Sequence, residues 1–309
     1  MSPARERVTI TKPAAAGVSI ASNAILIALK LAAAAITGSI AILSEALHSM
    51  IDLIASVVAF VAVRRADQPA DVEHPYGHQK VESVASSIEG MLILVGAGII
   101  IFESVRRLAT GADVEDLGVG IAVIAFSAVA NAGVAYFLRH QAQRHDSPAL
   151  AGDAAHLGTD SLTSLGVLAG LLIVQITGWV SIDSAVAIAV AIVIVFAGVR
   201  IMRRSTGALV DEAPPAEEMD RIEAAITGAR PPEMVGYHKL RARIAGNRRY
   251  VELHVQFKDG TSLERAHSLA HDLRDAIESE VHNAEVMIHL EPEASKQDPG
   301  KSPRHYRAG

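Results

Sequence analysis

The 309-residue chain has no cysteine, and this absence excludes several kinds of site at once. Disulfides, thiolate metal sites and cysteine nucleophiles are all ruled out. An excess of basic charge is also missing: the formal net charge is -6 and the isoelectric point is about 6.1, which argues against nucleic acid as a partner. A site for a soft metal ion must therefore use histidine, aspartate and glutamate.

The N-terminus shows no sign of a secretory signal. Residues 1–13 are polar and charged, and the apolar run that follows has the length of a full membrane span, with no clear small-residue cleavage site. We expect these residues to form a retained cytosolic tail. Since half of the residues are hydrophobic and the mean hydropathy is +0.29, the composition predicts a membrane protein with a soluble part.

Six segments have the length and apolarity of membrane-spanning helices, which need about 20 residues. They are residues 14–36, 39–63, 84–108, 117–138, 150–176 and 182–202. Short links between them predict one compact transmembrane domain over residues 14–206. Most of the lysines and arginines near the span ends fall on one side, leaving chiefly Arg106 and Arg107 on the other, so we expect both termini to be cytosolic.

The composition changes after the sixth span. A proline-containing linker is predicted over 207–216, a soluble α+β domain over 217–292 and a disordered tail over 293–309. Within the domain, hydrophobic periodicity predicts helices at 217–229 and 262–281 and strands at 237–244, 249–257 and 284–290.

Two of the spans carry the same pair of ionisable residues. His48 and Asp52 in the second span, and His156 and Asp160 in the fifth, are each four residues apart and so share one helix face. Ionisable groups are costly inside a bilayer and usually serve a function there. If the two helices meet, two imidazoles and two carboxylates form the tetrahedral donor set that Zn(II) favours. The alternative is that the histidines are polar helix contacts and the aspartates lie near the membrane surface.

Two further groups of residues have the donor chemistry of metal sites. Asp71, His74 and His78 follow the second span around a Pro-containing turn; spacing alone favours a solvated turn with incidental histidines over a metal site. The soluble domain is rich in histidine, and its candidate ligands are His238, His254, His267, His289 and Glu291. The alternative for these is ordinary surface polarity. The sequence also leaves open whether Glu89, in the third span, lines a water or proton path or lies near the interface.

At these residues the chain resembles the cation diffusion facilitators, specifically the bacterial branch of zinc and iron exporters. The resemblance extends over about residues 10–292 and includes the six spans, the HPYGHQKVE loop, the paired motifs and the cytosolic metallochaperone-like domain. It implies a homodimeric, proton-coupled exporter of divalent transition metal ions in the bacterial inner membrane, with no organic cofactor. Zn(II) is the expected transported and regulatory ion.

The resemblance also assigns roles to residues of this chain. It implies that His48, Asp52, His156 and Asp160 bind the transported ion, and histidine at the first of these positions favours zinc over cadmium. It assigns a second site to the loop residues and a third to the five residues of the soluble domain, where Glu291 stands at a position that is aspartate in the bacterial pattern. Lys80 and Asp211 are the expected counterparts of a Lys–Asp contact that helps to hold the dimer at the membrane surface.

Other functions remain as alternatives. An exporter of iron, cobalt or cadmium of the same family would use the same residues. A membrane metal sensor would signal through the soluble domain without transport. An intramembrane metalloenzyme lacks support, because four protein ligands would fill a tetrahedral site and neither pair carries the glutamate of a His-Glu-x-x-His motif.

Overall fold

The computed structural model describes residues 10–38, 40–110, 118–177 and 181–293. The first nine residues of the predicted N-terminal tail, residues 294–309 of the predicted C-terminal tail, and the predicted first residues of the second and fourth spans, Ser39 and Leu117, lie outside these ranges.

Six long helices form the first part of the chain, and all six are long and apolar enough to cross a membrane. They are α1 Lys12–Thr37, α2 Ile40–Ala66, α3 Lys80–Thr110, α4 Gly118–His145, α5 Pro148–Thr177 and α6 Ser181–Leu209. The first helix has clear end signals: the Thr11 hydroxyl accepts a hydrogen bond from the Ala14 N–H, and Gly38 ends the helix with a positive φ of 68°.

Small residues let these helices pack closely. The largest buried cluster of the bundle contains eight alanines and is formed mainly by α1, α2, α4 and α5. Gly152 brings α5 against α3, since a Cβ atom there would lie 3.1 Å from the Ser86 Cα. Gly198 likewise brings α6 against α3, because its Cβ would lie 2.9 Å from Leu94 Cδ2. Close contact in a bilayer depends on such residues.

The second part of the chain is a small α+β domain. Its elements are α7 Ala216–Gly228, β1 Met234–Ala245, β2 Arg248–Phe257, α8 Leu263–Glu280 and β3 Ala284–Pro292. The sheet has the order β1-β2-β3, antiparallel between the first two strands and parallel between the last two. Alternate β2 residues, such as Leu253 and Val255, pack against apolar residues of α7 and α8, which leaves the other face of the sheet to polar side chains.

The chain divides into two compact units, residues 1–206 and 207–309. The predicted fold class, a six-helix transmembrane bundle followed by an α+β domain, is confirmed.

Candidate metal centres

The paired motifs of α2 and α5 meet inside the bundle. His156 Nε2 lies 3.3 Å from Asp52 Oδ1 and 3.8 Å from Asp160 Oδ2, and His48 Nε2 lies 3.9 Å from the same oxygen of Asp52. One donor atom from each of His48, Asp52 and Asp160 falls within 4.8 Å of the others. Donor atoms bound to one tetrahedral zinc ion are about 3.3 Å apart, given bonds of about 2.0 Å. These side chains need only small shifts to reach that spacing.

The four side chains line a cavity of about 280 Å³. Asp52 and His156 are buried, whereas the side chain of His48 is 55% exposed. Hydroxyl and amide side chains of α4 and α5 complete the polar part of the wall: Ser127, Asn131, Thr159, Thr163 and Ser164. The cavity therefore combines candidate ion ligands with groups that can hydrogen-bond water.

A lysine of the protein also lines this cavity. Lys30 on α1 is buried, and its Nζ donates to the Ser49 hydroxyl at 2.8 Å and lies 3.1 Å from Glu45 Oε2. The charges of Lys30 and Glu45 cancel, so the remaining acidic charge of the cavity belongs to Asp52 and Asp160. Two carboxylates match the charge of one divalent cation.

Asp153, one turn before His156, has a different environment from the four candidate ligands. The Ser56 hydroxyl donates to Asp153 Oδ1 at 3.1 Å and lies 2.9 Å from the Ser19 hydroxyl. The Asn23 side-chain amide donates to Ser56 at 2.9 Å. This buried network joins α5 to α1 and α2, the two helices that carry the candidate ligands being α2 and α5.

The loop after α2 gathers its three candidate ligands around a tight turn. Asp71 Oδ1 lies 3.4 Å from His74 Nδ1, and Asp71 Oδ2 lies 3.3 Å from His78 Nε2. Gly77, with a φ of 86°, makes the turn possible, and its N–H donates to the His74 carbonyl at 2.9 Å. The backbone N–H of His74 donates to the Asp71 carboxylate and holds the pKa of that carboxyl below its ordinary value. An ionised aspartate and two histidines are thus within 4.8 Å of one another.

Three histidines form a row across the sheet of the second unit. His238 on β1 is paired with His254 on β2, which is paired with His289 on β3. Glu291 lies beside this row: its carboxylate oxygens are 2.6 Å from His254 Nδ1 and 3.1 Å from His238 Nε2, and 3.9 Å from His289 Nε2. One donor atom each from His238, His254 and Glu291 lies within 4.8 Å of the other two. The row lies on the face of the sheet opposite to α8.

His267 is not part of this row. It lies on α8 beside His271, with the two Nε2 atoms 3.0 Å apart. Within one chain the structure therefore separates His267 from the other four residues that were predicted to share its site.

The comparisons with known proteins agree with this architecture. A model for the cation efflux transmembrane domain matches residues 16–210, and a model for the cytoplasmic domain of cation efflux proteins matches residues 214–293. The chain belongs to the cation efflux family, the cation diffusion facilitators. It is an integral membrane transporter of cations and not an enzyme.

Relatives of this cation efflux protein match along most of its length. The uncharacterised transporter sll1263 of Synechocystis sp. is 34% identical over 89% of this chain and 88% of its own. The cation-efflux pump FieF of Klebsiella pneumoniae is 30% identical over 92% of this chain and 93% of its own. A solved structure of CzrB in its Zn form is 32% identical over 28% of this chain and 98% of its own, with a TM-score of 0.27.

In this cation efflux protein, Lys80 and Asp211 belong to different units. Lys80 is the first residue of α3, and Asp211 accepts a hydrogen bond from Arg243 at 2.9 Å within the second unit. The contact expected between Lys80 and Asp211 stays a prediction.

Sequence reasoning missed one buried ion pair of the cation efflux bundle. Lys12, assigned to the polar tail, is the first residue of α1, and its Nζ lies 2.9 Å from Glu82 Oε1 and also pairs with Asp67. The Ser147 hydroxyl donates to the other oxygen of Glu82. This network, which we call the Lys12–Glu82 cluster, joins the ends of α1, α2, α3 and α5. The available signal was the Lys12-Pro13 pair at the start of an apolar run, which is typical of a helix start.

Proposed function

We propose that this cation efflux protein exports Zn(II) from the cytosol in exchange for protons, with His48, Asp52, His156 and Asp160 as the ligands of the transported ion. One observation carries the proposal: two histidines and two aspartates from α2 and α5 converge on one cavity inside a membrane-spanning bundle. Ionisable groups at such a depth belong to substrate and ion pathways.

The donor set favours zinc for chemical reasons. Two imidazoles and two carboxylates suit a tetrahedral ion of intermediate softness. Purely oxygen-ligated ions such as Mg²⁺ would prefer six oxygen donors and would retain water. Because Lys30 pairs with Glu45, the carboxylates of Asp52 and Asp160 are available to balance the charge of one divalent ion.

Proton exchange follows from the chemistry of the ligands. An imidazole must be neutral to bind a metal ion, and its reference pKa of about 6.5 lies near cytosolic pH. Zinc entering the cavity therefore releases protons, and protons entering from a more acidic exterior release zinc. Alternating access of the cavity to the two sides converts a proton gradient into metal export.

Two accessory centres fit the same proposal. Asp71, His74 and His78 would bind zinc at the cytosolic end of α2, and His238, His254, His289 and Glu291 would bind regulatory zinc in the soluble domain. His267, which lies on α8 and apart from these four residues within one chain, would also bind zinc in the soluble domain. The chain would act as a homodimer in the bacterial inner membrane, in contact with lipid and with both termini in the cytosol, and Lys80 and Asp211 would help to hold the dimer. Metal bound to the domain would then shift the populations of the transport states.

The proposal is tested by transport in proteoliposomes that contain a zinc-sensitive dye. With an outward gradient of protons, external zinc should accumulate at a saturable rate, and an ionophore that collapses the gradient should abolish the accumulation. Equal rates with and without the gradient would refute proton exchange. Zinc binding without flux under any gradient would instead favour the membrane metal sensor.

A further inference from the structure

Glu89 on α3 is a buried acidic residue that is not one of the four proposed ligands of the transported ion. Its side chain is completely buried, and neither carboxylate oxygen has a hydrogen-bond partner within the described part of the chain. Its Oε2 lies 3.8 Å from Nδ1 of His156. That nitrogen is also buried without a hydrogen-bond partner among the described residues. Two unsatisfied groups of complementary chemistry therefore face each other behind the cavity.

The His156 ring lies between Glu89 and the ion ligands. Its Nε2 faces Asp52 and Asp160, at 3.3 and 3.8 Å, while its Nδ1 faces Glu89. A neutral imidazole that binds a metal through Nε2 must carry its proton on Nδ1, where it needs an acceptor. Glu89 reaches hydrogen-bond distance of about 2.8 Å by a shift of about 1 Å. We propose that Glu89 is a positioning residue that accepts this hydrogen bond and so holds His156 with Nε2 toward the transported ion.

The packing of α3 against α5 directs Glu89 to this place. A Cβ atom at Gly152 would lie 3.2 Å from Glu89 Cβ, so the absence of a side chain at Gly152 permits the close approach. One turn before Glu89, the Ser86 hydroxyl is satisfied by Ser205 at 2.8 Å. Ser86 thus joins α3 to α6, whereas the carboxylate of Glu89 faces the ring of His156.

The inference rests on the proposed function, because it assumes that His156 binds the transported ion. Its test uses the full chain in nanodiscs and measures the Kd for Zn²⁺ by calorimetry and for Co²⁺ by its visible absorption. The parent carries His78→Ala and His254→Ala, which weaken the loop and domain centres. Glu89→Leu removes the acceptor and Glu89→Gln keeps the shape. The matched control is Glu103→Gln, because Glu103 is a partly exposed glutamate of the same helix.

We expect Glu89→Leu to raise both Kd values at least 10-fold, because loss of such an outer-shell partner costs about 10- to 100-fold in metal affinity. Glu89→Gln should raise both Kd values about 3-fold, since its neutral amide oxygen accepts the same hydrogen bond about half as strongly as a carboxylate does, and Glu103→Gln should match the parent. If Glu89→Leu does not fold, the Gln variant decides: an unchanged Kd and an unchanged Co²⁺ spectrum in that variant would overturn the inference.

A second parent chain, which carries His156→Gln, distinguishes a positioning role of Glu89 from a purely structural one. His156→Gln keeps one donor oxygen and removes the second ring nitrogen, so there Glu89→Leu should change the Kd less than about 2-fold. An equal loss in both backgrounds would overturn the inference. Failure of the proposed function has a different signature: the parent itself would bind no ion in the cavity, or Asp160→Ala would bind as tightly as the parent. Either result would overturn both proposals.

Discussion

Replacement of Glu82 by glutamine should loosen one end of the transmembrane bundle. In the Lys12–Glu82 cluster, the side chains of Lys12 and Glu82 are 10% and 2% exposed, whereas that of Asp67 is 44% exposed. The substitution keeps the shape of the side chain but removes the buried anion. Lys12 then retains the half-exposed Asp67 as its partner, together with a weaker neutral acceptor.

The magnitude follows from these burials. Removal of every partner of a buried charge costs about 3 to 5 kcal/mol of stability. A hydrogen bond to a charged group contributes about 1.5 to 3 kcal/mol. Since Lys12 keeps one partner, we expect the closed arrangement of this end to lose about 2 kcal/mol. That loss corresponds to an opening equilibrium about 30-fold larger. Asp67→Asn, at a more exposed position, should cost less than about 1 kcal/mol.

Because the chain has no cysteine, a single introduced thiol can report on this opening. Ser83, adjacent to Glu82, is fully buried, and Ser83→Cys is nearly isosteric. The labelling rate of this thiol should rise about 30-fold in Glu82→Gln and only slightly in Asp67→Asn. Glu103→Gln, on the same helix, is the control. A change below about 3-fold in Glu82→Gln, or equal effects of Glu82→Gln and Asp67→Asn, would refute the reasoning.

Three further predictions concern helix packing, the domain centre and the loop. Gly152→Ala should lower the free energy of unfolding by about 1 to 3 kcal/mol in thermal or denaturant melts, because its Cβ would meet α3; Gly98→Ala, in open space, should not be destabilising. His254→Ala should lower the zinc stoichiometry of the full chain, because His254 is the central histidine of the proposed domain centre; unchanged stoichiometry would contradict this. The lowered pKa of Asp71 means that its ionised form is favoured in the folded loop, and this contribution is lost only as pH falls through that pKa, below 3.8. Asp71→Asn should therefore bind zinc more weakly than the unaltered chain at pH 5 as well as at pH 7, and equal affinity of the two chains at pH 5 would contradict this.

Local patterns were sufficient for the features that depend on one helix or one turn. The four-residue spacing of His48 and Asp52 fixes their common face without knowledge of any other element. The loop ligands Asp71 and His78 are close in sequence and in space. The soluble domain follows from alternating apolar residues, and its predicted elements agree with the observed ones to within a few residues.

Features that depend on how elements face each other were not accessible in this way. The row of His238, His254 and His289 requires the register of three strands, which no single strand specifies. The role of Glu89 depends on the rotation of α3 about its axis and on a glycine of a different helix. Lys12 looked like part of a polar tail because its partner Glu82 lies 70 residues away.

The most direct test of the transport site is flux through Asp160→Ala and His48→Asp in liposomes with an imposed pH gradient. We expect saturable zinc uptake by the unaltered chain, no zinc uptake by a folded Asp160→Ala variant, and cadmium uptake only by His48→Asp. Robust zinc flux through Asp160→Ala would contradict the assignment of the two-histidine, two-aspartate cavity as the transport site.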